Sequence, residues 1–286
     1  MTVLLTLAAL GTGCGAGRSS ADTLPNPFGT PSPTPTPTPT ATAAPYVPAH
    51  TADDVVLRIS QFGGFAGPPD VPPPPPVSVY SDGTMISVDR PAANAPIPGV
   101  VGLNRRQLTP PALGRLLYLA ARAGLADGDH PDKPIPDAIV TVIAVRHDDR
   151  LNHSSFATFS PRPEDSPDQA RRRSAAARFV RRLEDDPRTL VPTGISDPTP
   201  VVPDRLAMSA SALPPPTPVD RDWPVTSVDL GTLGRCTVVR DAVAREAYTT
   251  LAQAPGGTRW GWHAQVWRVI AAPPVDDQPE CQPAAG

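Results

Sequence analysis

The amino-acid sequence predicts an α+β domain, with an antiparallel or mixed sheet and about three helices, behind a signal peptide and a disordered Pro/Thr-rich tether. Three observations support this prediction: apolar runs paired as hairpins, amphipathic helical stretches between them, and prolines crowded near the N-terminus. We therefore divide the chain into a signal peptide (1–13), a lipidated cysteine with its tether (14–50), a single domain (51–281) and a disordered tail (282–286).

The N-terminus has the features of an export signal. Residues 2–10 are apolar but too few to span a bilayer, which takes about 20 residues, so they fit a secretory h-region. Residues 1–3 carry no Lys or Arg, so we expect translation to start upstream. The small residues before Cys14 resemble the lipobox of bacterial lipoproteins, although Gly11 stands where leucine is usual. This resemblance implies diacylglycerol on Cys14 and a place on the outer face of the membrane; the alternative is a secreted protein.

The tether alternates proline and threonine between Pro31 and Thr40. Each proline fixes φ and lacks an N–H donor, so helix and sheet are both excluded. We expect an extended polyproline-II segment that rises about 3.1 Å per residue and acts as a spacer.

The first half of the domain contains hairpins and one helix. Strands are predicted over 55–60, 77–80, 84–88, 99–108, 137–146 and 151–159, and the second and third flank the turn signal Asp82-Gly83. Thr109 is expected to cap the first helix, which begins with Pro110-Pro111 and stops at Gly124. Its buried face is expected to contain Leu113, Leu116, Leu117 and Ala120.

The second half of the domain is also predicted to contain helices and strands. Ser166 is expected to cap a helix that runs to about Asp185 and buries Ala176, Phe179, Val180 and Leu183. Strands are predicted over 206–213, 235–239 and 260–271, and Asp241 is expected to cap a third helix.

The chain has three cysteines, Cys14, Cys236 and Cys281. If Cys14 is lipidated, Cys236 and Cys281 remain as a pair, and exported pairs usually form disulfides. The alternative is two free thiols, although no CxxC motif or neighbouring histidine indicates an activated thiolate.

Several phrases together resemble a family of uncharacterised actinobacterial lipoproteins, over most of residues 53–281. They are Val56-Leu57-Arg58-Ile59-Ser60, Gly63-Gly64-Phe65, Val79-Tyr80-Ser81-Asp82-Gly83-Thr84, Leu108-Thr109, Arg221-Asp222-Trp223-Pro224, Arg235-Cys236 and Glu280-Cys281. The resemblance implies export, lipid anchoring and a domain with two cysteines, and it brings no catalytic residue and no cofactor. This chain departs from the family in the five prolines at 72–76.

Common catalytic motifs are missing: the sequence has no HExxH, GxSxG, Walker or GxGxxG motif. Two polar clusters are weak candidates for a metal site: His147, Asp149 and His153 with Asp148, and Asp127, Asp129 and His130. The alternative for both is a solvated turn. His147, His153 and His263 are the weak candidates for acid–base catalysis.

Trp260 and Trp262 are expected to share one face of the last strand, with Trp267 opposite. If exposed, the first two could stack on a cell-wall sugar; the alternative, which we favour, is core packing. The second helix carries six arginines, which we interpret as a solvated face rather than a surface for lipid or wall polymer: Arg171, Arg172, Arg173, Arg178, Arg181 and Arg182.

A net charge of −3 argues against a nucleic-acid partner. The expected partners are the membrane, through the lipid, and a cell-wall polymer or an envelope protein. We expect a non-enzymatic binding or envelope-accessory domain; the alternative is an extracytoplasmic hydrolase that acts on a wall or surface polymer.

Overall fold

Twelve strands and three α-helices confirm the α+β class in the described part of the chain. The structure is a computed structural model that describes residues 50–63, 71–90, 94–133, 135–275 and 281. The predicted signal peptide, Cys14, nearly all of the tether and the tail 282–286 lie outside the described residues. None of the helices in the described ranges is both long and apolar enough to cross a membrane.

The first sheet has seven strands. They are β1 (Val55–Gly63), β2 (Val77–Tyr80), β3 (Thr84–Val88), β4 (Leu103–Gln107), β5 (Ile139–His147), β6 (Arg150–Phe156) and β7 (Thr199–Val201). Their spatial order is β6-β5-β1-β2-β3-β4-β7, and all neighbours are antiparallel. The hairpin predicted at Asp82-Gly83 is confirmed. Gly83 has φ +83°, and a Cβ there would lie 2.3 Å from the Leu108 carbonyl oxygen, so this turn requires glycine.

Two helices, α1 (Pro110–Arg122) and α2 (Pro167–Asp185), cover one face of this sheet. At the start of α2, the Gln169 N–H donates to Ser166 Oγ, and the Ser166 N–H donates to Gln169 Oε1, as in a capping box. Thr109 occupies the cap position of α1, but its side chain makes no capping hydrogen bond. Proline fills the first two positions of that helix, so the second position has no N–H to offer.

The core beneath α1 and α2 is mainly apolar, with Asn152 and Ser154 of β6 as buried polar residues on the same face. Leu116 and Ala120 of α1 and all four α2 residues predicted to be inward are buried. They contact strand residues such as Leu57 and Val79, which are fully buried on the same face of the sheet. The helical periodicity in the sequence therefore identifies which face of each helix contacts the sheet.

The second sheet has five strands and one helix. The strands are β8 (Arg205–Ala212), β9 (Arg221–Asp222), β10 (Thr237–Arg240), β11 (Arg259–Trp262) and β12 (Gln265–Ala272), in the order β10-β8-β12-β11-β9. The β9–β11 pair is parallel and the others are antiparallel. The helix α3 (Asp241–Ala252) packs on this sheet, and its cap residue is Arg240, not Asp241 as predicted.

The strand predicted over 260–271 is a hairpin of β11 and β12. His263 and Ala264 form its two-residue turn with φ 49° and 59°, a conformation that glycine or asparagine usually provides. The turn pairs Trp260 directly with Trp267. These two side chains therefore share a face of the sheet, whereas the sequence predicted opposite faces.

The two sheets are joined by apolar contacts and lie in one unit. Val275, beyond β12, packs with Tyr80, Ile86 and Leu103 of the first sheet. Val71, which precedes β2, packs with Ala207 and other residues of the second sheet.

Cys236 and Cys281 form a disulfide, with Cα atoms 5.7 Å apart and a sequence separation of 45. This confirms the predicted pairing. The bond ties the residue just before β10 to the C-terminal part of the chain.

Candidate functional site

The histidine candidates do not converge. In the β5–β6 register Ala144 is opposite His153, and His147 is opposite Arg150, so the two imidazoles lie on opposite faces of the hairpin. His263 belongs to the turn of the second sheet, where its ring contacts Trp262 with ring centroids 4.4 Å apart. All three side chains are exposed. The geometry therefore separates the groups proposed for acid–base chemistry.

The proposed metal clusters are structural turns. Asp129 accepts hydrogen bonds from the His153 N–H at 2.8 Å and from Arg150 Nη2 at 2.5 Å. The backbone hydrogen bond from His153 lowers the pKa of Asp129, with a smaller contribution from Arg150. Asp149 lies in the tight turn between β5 and β6. Within the described ranges, no three His, Cys, Asp or Glu side chains are close enough to hold one metal ion.

The tryptophans pack in and around the second core. Trp260 is 3% exposed and meets Trp223 edge to face, with ring centroids 5.2 Å apart. Trp262 is half-buried, and its indole N–H donates to Asp229 Oδ1 at 3.1 Å. Trp267 donates to the Trp262 carbonyl oxygen at 3.3 Å. Because Trp260 is buried, its ring cannot stack on a sugar. Its position agrees with the core-packing alternative.

One arginine of α2 is not on a solvated face, which corrects the sequence interpretation. Arg173 is 6% exposed, and its Nη2 donates to Asp132 Oδ1 at 2.7 Å and its Nε to Asp165 Oδ2 at 2.8 Å. Its Nη1 also donates to the Thr158 carbonyl oxygen at 2.8 Å. Arg162 Nη2 adds a bond to Asp132 Oδ2 at 3.0 Å. This buried ionic cluster joins α2 to the loop between α1 and β5 and to the loop between β6 and α2, so its role is structural.

The buried ionic cluster makes the free energy of unfolding depend on pH in the acid range. The hydrogen bonds from Arg173 lower the pKa of Asp132 from 3.8 to about 2. A carboxyl whose pKa is lower in the folded state than in the unfolded state stabilises the fold at every pH above the unfolded-state pKa. This contribution disappears as the pH falls through the folded-state pKa. We therefore expect a loss of about 2 kcal/mol between about pH 4 and pH 2 from this group.

Urea denaturation of the wild type and of Asp132→Asn at about pH 5 and about pH 2.5 measures this contribution. The asparagine variant should be less stable at the higher pH and should lose less stability on acidification. An equal loss in both proteins would assign the acid sensitivity to other carboxyls.

An open groove of about 580 Å³ lies between α1 and α2, and we call it the arginine groove. Each helix lines it with four residues at the same spacing, i, i+3, i+4 and i+7. They are Arg115, Tyr118, Leu119 and Arg122 from α1, and Ala175, Arg178, Phe179 and Arg182 from α2, with Ala123 and Leu190 beside them.

Sequence reasoning missed the arginine groove. It treated Arg178 and Arg182 as part of a solvated face and did not consider Arg115 and Arg122 of α1 at all. The signal was nevertheless present, because arginines at i, i+3, i+4 or i+7 lie on one face of a helix. What the sequence does not contain is which two helices pack side by side.

A second concavity, of about 460 Å³, is mainly apolar. Its walls include Pro73, Pro74 and Val88, and the charged side chain on its edge is Arg90. Arg90 Nη2 lies 2.8 Å from Glu184 Oε2, so that guanidinium already has a partner. Burial raises the pKa of the Glu184 carboxyl, against the lowering influence of Arg90. This cavity offers few free polar groups to orient a ligand, and the arginine groove is the better candidate.

Comparison of this chain with protein-family models, with curated proteins and with solved structures finds no match.

Proposed function

We propose that the chain is an extracytoplasmic lipoprotein, held on the outer face of the cell membrane by diacylglycerol on Cys14. Its domain binds a component of the cell envelope, either a wall polymer or an envelope protein, without transforming it.

The observation that carries this proposal is the Cys236–Cys281 disulfide. Disulfides persist in oxidising compartments and are rare in the cytosol, so the bond supports export. The sequence has three cysteines, and the disulfide uses two of them, which leaves Cys14 as the thiol for a lipid. Two acyl chains are enough for stable anchoring, whereas one gives marginal binding.

The dispersal of His147, His153 and His263 favours binding over hydrolysis. An acid–base pair must reach one reacting group within hydrogen-bond distance, directly or through one water. These three side chains lie on two faces of the β5–β6 hairpin and on a turn of the other sheet. The open arginine groove, in contrast, offers a concave surface whose lining residues include no histidine, cysteine or carboxylate.

Cys14→Ala tests the anchor. In an actinobacterial host, we expect the wild type in the membrane pellet and the variant in the soluble fraction or the medium, because the thiol that takes the lipid is gone. Mass spectrometry of the mature wild-type protein should show an N-terminal cysteine that carries diacylglycerol.

Gly13→Ala is the matched control, since it keeps a small residue before the cysteine and should leave the protein in the membrane pellet. Cys14→Ala that remains there as fully as the wild type would refute the lipid anchor.

A further inference from the structure

We propose that the arginine groove binds a linear, phosphate-bearing polymer, laid along the two helices between Arg115 and Arg122 on one side and Arg178 and Arg182 on the other. This inference rests on the proposed binding function and adds the site and the chemical class of the ligand.

The arginine groove carries unbalanced positive charge. All four arginines are exposed. Among the described residues, no carboxylate lies within 4.0 Å of any of these four guanidinium groups. The acidic residues close by in sequence are engaged elsewhere: Glu184 and Asp185 pair with Arg90, and Asp197 pairs with Arg188. The fold therefore concentrates positive charge in a groove and keeps negative charge out of it.

This arrangement is unfavourable without a ligand. Arg178 and Arg182 are four positions apart on α2, where like charges destabilise a helix. Arg115 and Arg122, two turns apart on α1, add to the same positive field across the groove. These like charges destabilise the free domain. A bound anion relieves the repulsion between them, and anion binding is therefore favoured.

The groove is longer than a single phosphate ion. Arg115 and Arg122 are separated by about 10 Å along the axis of α1, and Arg178 and Arg182 by about 6 Å along α2. Two neighbouring arginines can share one phosphate, but the four arginines together carry more positive charge than one phosphate ion neutralises. They suit a chain with repeated anionic groups, and a groove open at its surface accepts such a chain without having to close.

The floor of the arginine groove is apolar. Phe179, Leu190 and Ala123 are buried beneath it, and this apolar layer strengthens interactions between charges above it. Tyr118 is 54% exposed at the rim, and its hydroxyl accepts a hydrogen bond from Arg122 Nη1 at 3.3 Å, which orients that guanidinium.

Phosphate is favoured over carboxylate by shape. A guanidinium fork binds either anion in a bidentate manner. A carboxylate is planar and accommodates one fork well, whereas a phosphate group points oxygens in several directions. Phosphate can therefore accept hydrogen bonds from arginines of both helices at once.

A polymer is favoured over a bilayer surface because the arginines surround a concavity. A helix that lies on a membrane inserts an apolar face into the lipid. Here the apolar faces of α1 and α2 are buried against the first sheet, and the exposed large apolar side chain in the groove is Tyr118. A flat headgroup layer could not reach the floor of the groove.

The test is fluorescence polarisation of labelled inorganic polyphosphate with the full-length protein in nonionic detergent. The groove variant is Arg115→Gln, Arg178→Gln and Arg182→Gln combined. The matched control variant is Arg181→Gln, Arg235→Gln and Arg268→Gln, which removes three exposed arginines outside the groove. Three exposed ion pairs, each worth a few-fold in affinity, predict that the groove variant binds about 30-fold more weakly. The control variant should stay within about threefold of the wild type.

Similar losses in the two variants, or no binding by the wild type, would overturn the proposal. So would equal affinity for polyglutamate of the same charge, or groove-dependent binding to phosphatidylglycerol vesicles without binding to polyphosphate. Unchanged circular dichroism and urea midpoint in both variants exclude misfolding as the cause of a loss.

The same samples separate this inference from the proposed function. If binding depends on the groove and the polyphosphate is recovered intact, both the proposed site and the proposed non-enzymatic function are supported. Groove-dependent binding with release of orthophosphate would support the site and overturn a non-enzymatic role.

Discussion

Arg173→Met is expected to lower the free energy of unfolding by about 3–5 kcal/mol, because it removes the central cation of a buried ionic cluster. Asp132 and Asp165 would remain as carboxylates whose side chains are 9% and 5% exposed. Their lost hydrogen bonds cannot be replaced fully by water at that depth. Urea denaturation at neutral pH, followed by tryptophan fluorescence, measures the change.

Arg171→Met is the matched control on the same helix. The Arg171 side chain is 73% exposed and pairs with Asp168 in the first turn of α2, so its loss should cost less than about 0.5 kcal/mol. Adding Asp132→Asn to Arg173→Met should recover part of the stability, because one uncompensated charge is then removed. A loss below about 1 kcal/mol for Arg173→Met would show that water enters the site and compensates the carboxylates.

Cys236→Ala combined with Cys281→Ala is expected to lower the free energy of unfolding by about 4 kcal/mol. The disulfide closes a loop of 45 residues, and the entropy that it removes from the unfolded chain accounts for this value. Denaturation of the double variant and of the wild type without reductant gives the difference.

The reduced wild type should match the double variant, and reductant should leave the double variant unchanged. Each single variant should be as unstable as the double variant, because either one prevents the bond. Equal midpoints for the oxidised wild type and the double variant would mean that the bond does not constrain the unfolded chain.

The local parts of this fold could be predicted from the sequence. Asp82-Gly83 identifies a hairpin because its turn needs a positive φ, and Ser166 with Gln169 identifies the start of α2 because the two residues satisfy each other's backbone donors. Such signals act over a few residues and do not depend on the rest of the chain. The pairing of Cys236 with Cys281 followed from their number and from the expected compartment.

The other features of the fold depend on packing between residues that are distant in sequence. Arg173 lies in a run of arginines that indicates a solvated face, and its partner Asp132 is 41 positions away in sequence. Helical periodicity places Arg171 on the outer face but places both Arg172 and Arg173 beside the buried face, so no local signal identifies Arg173 as the buried one. The turn at His263-Ala264 lacks the glycine or asparagine that usually permits its φ values, so its hairpin resembles one long strand.

The candidate site also combines local sequence signals with packing that the sequence does not specify. Each helix shows its own stripe of arginines, and either stripe alone is typical of a solvated surface. The arginine groove exists because α1 and α2 lie side by side on one sheet, and no property of either helix alone specifies that arrangement.

The loop at residues 129–132 also covers one edge of the first sheet. Two outward N–H groups of β6 and the one just beyond it are already used: that of His153 by Asp129, that of Ser155 by the His130 carbonyl oxygen, and that of Ala157 by Asp132. An edge whose amides are satisfied cannot take up a strand from another molecule, which is the first step of many forms of aggregation. Because Arg173 holds Asp132 against this edge, the buried arginine also helps to protect this edge of the sheet from pairing with another strand.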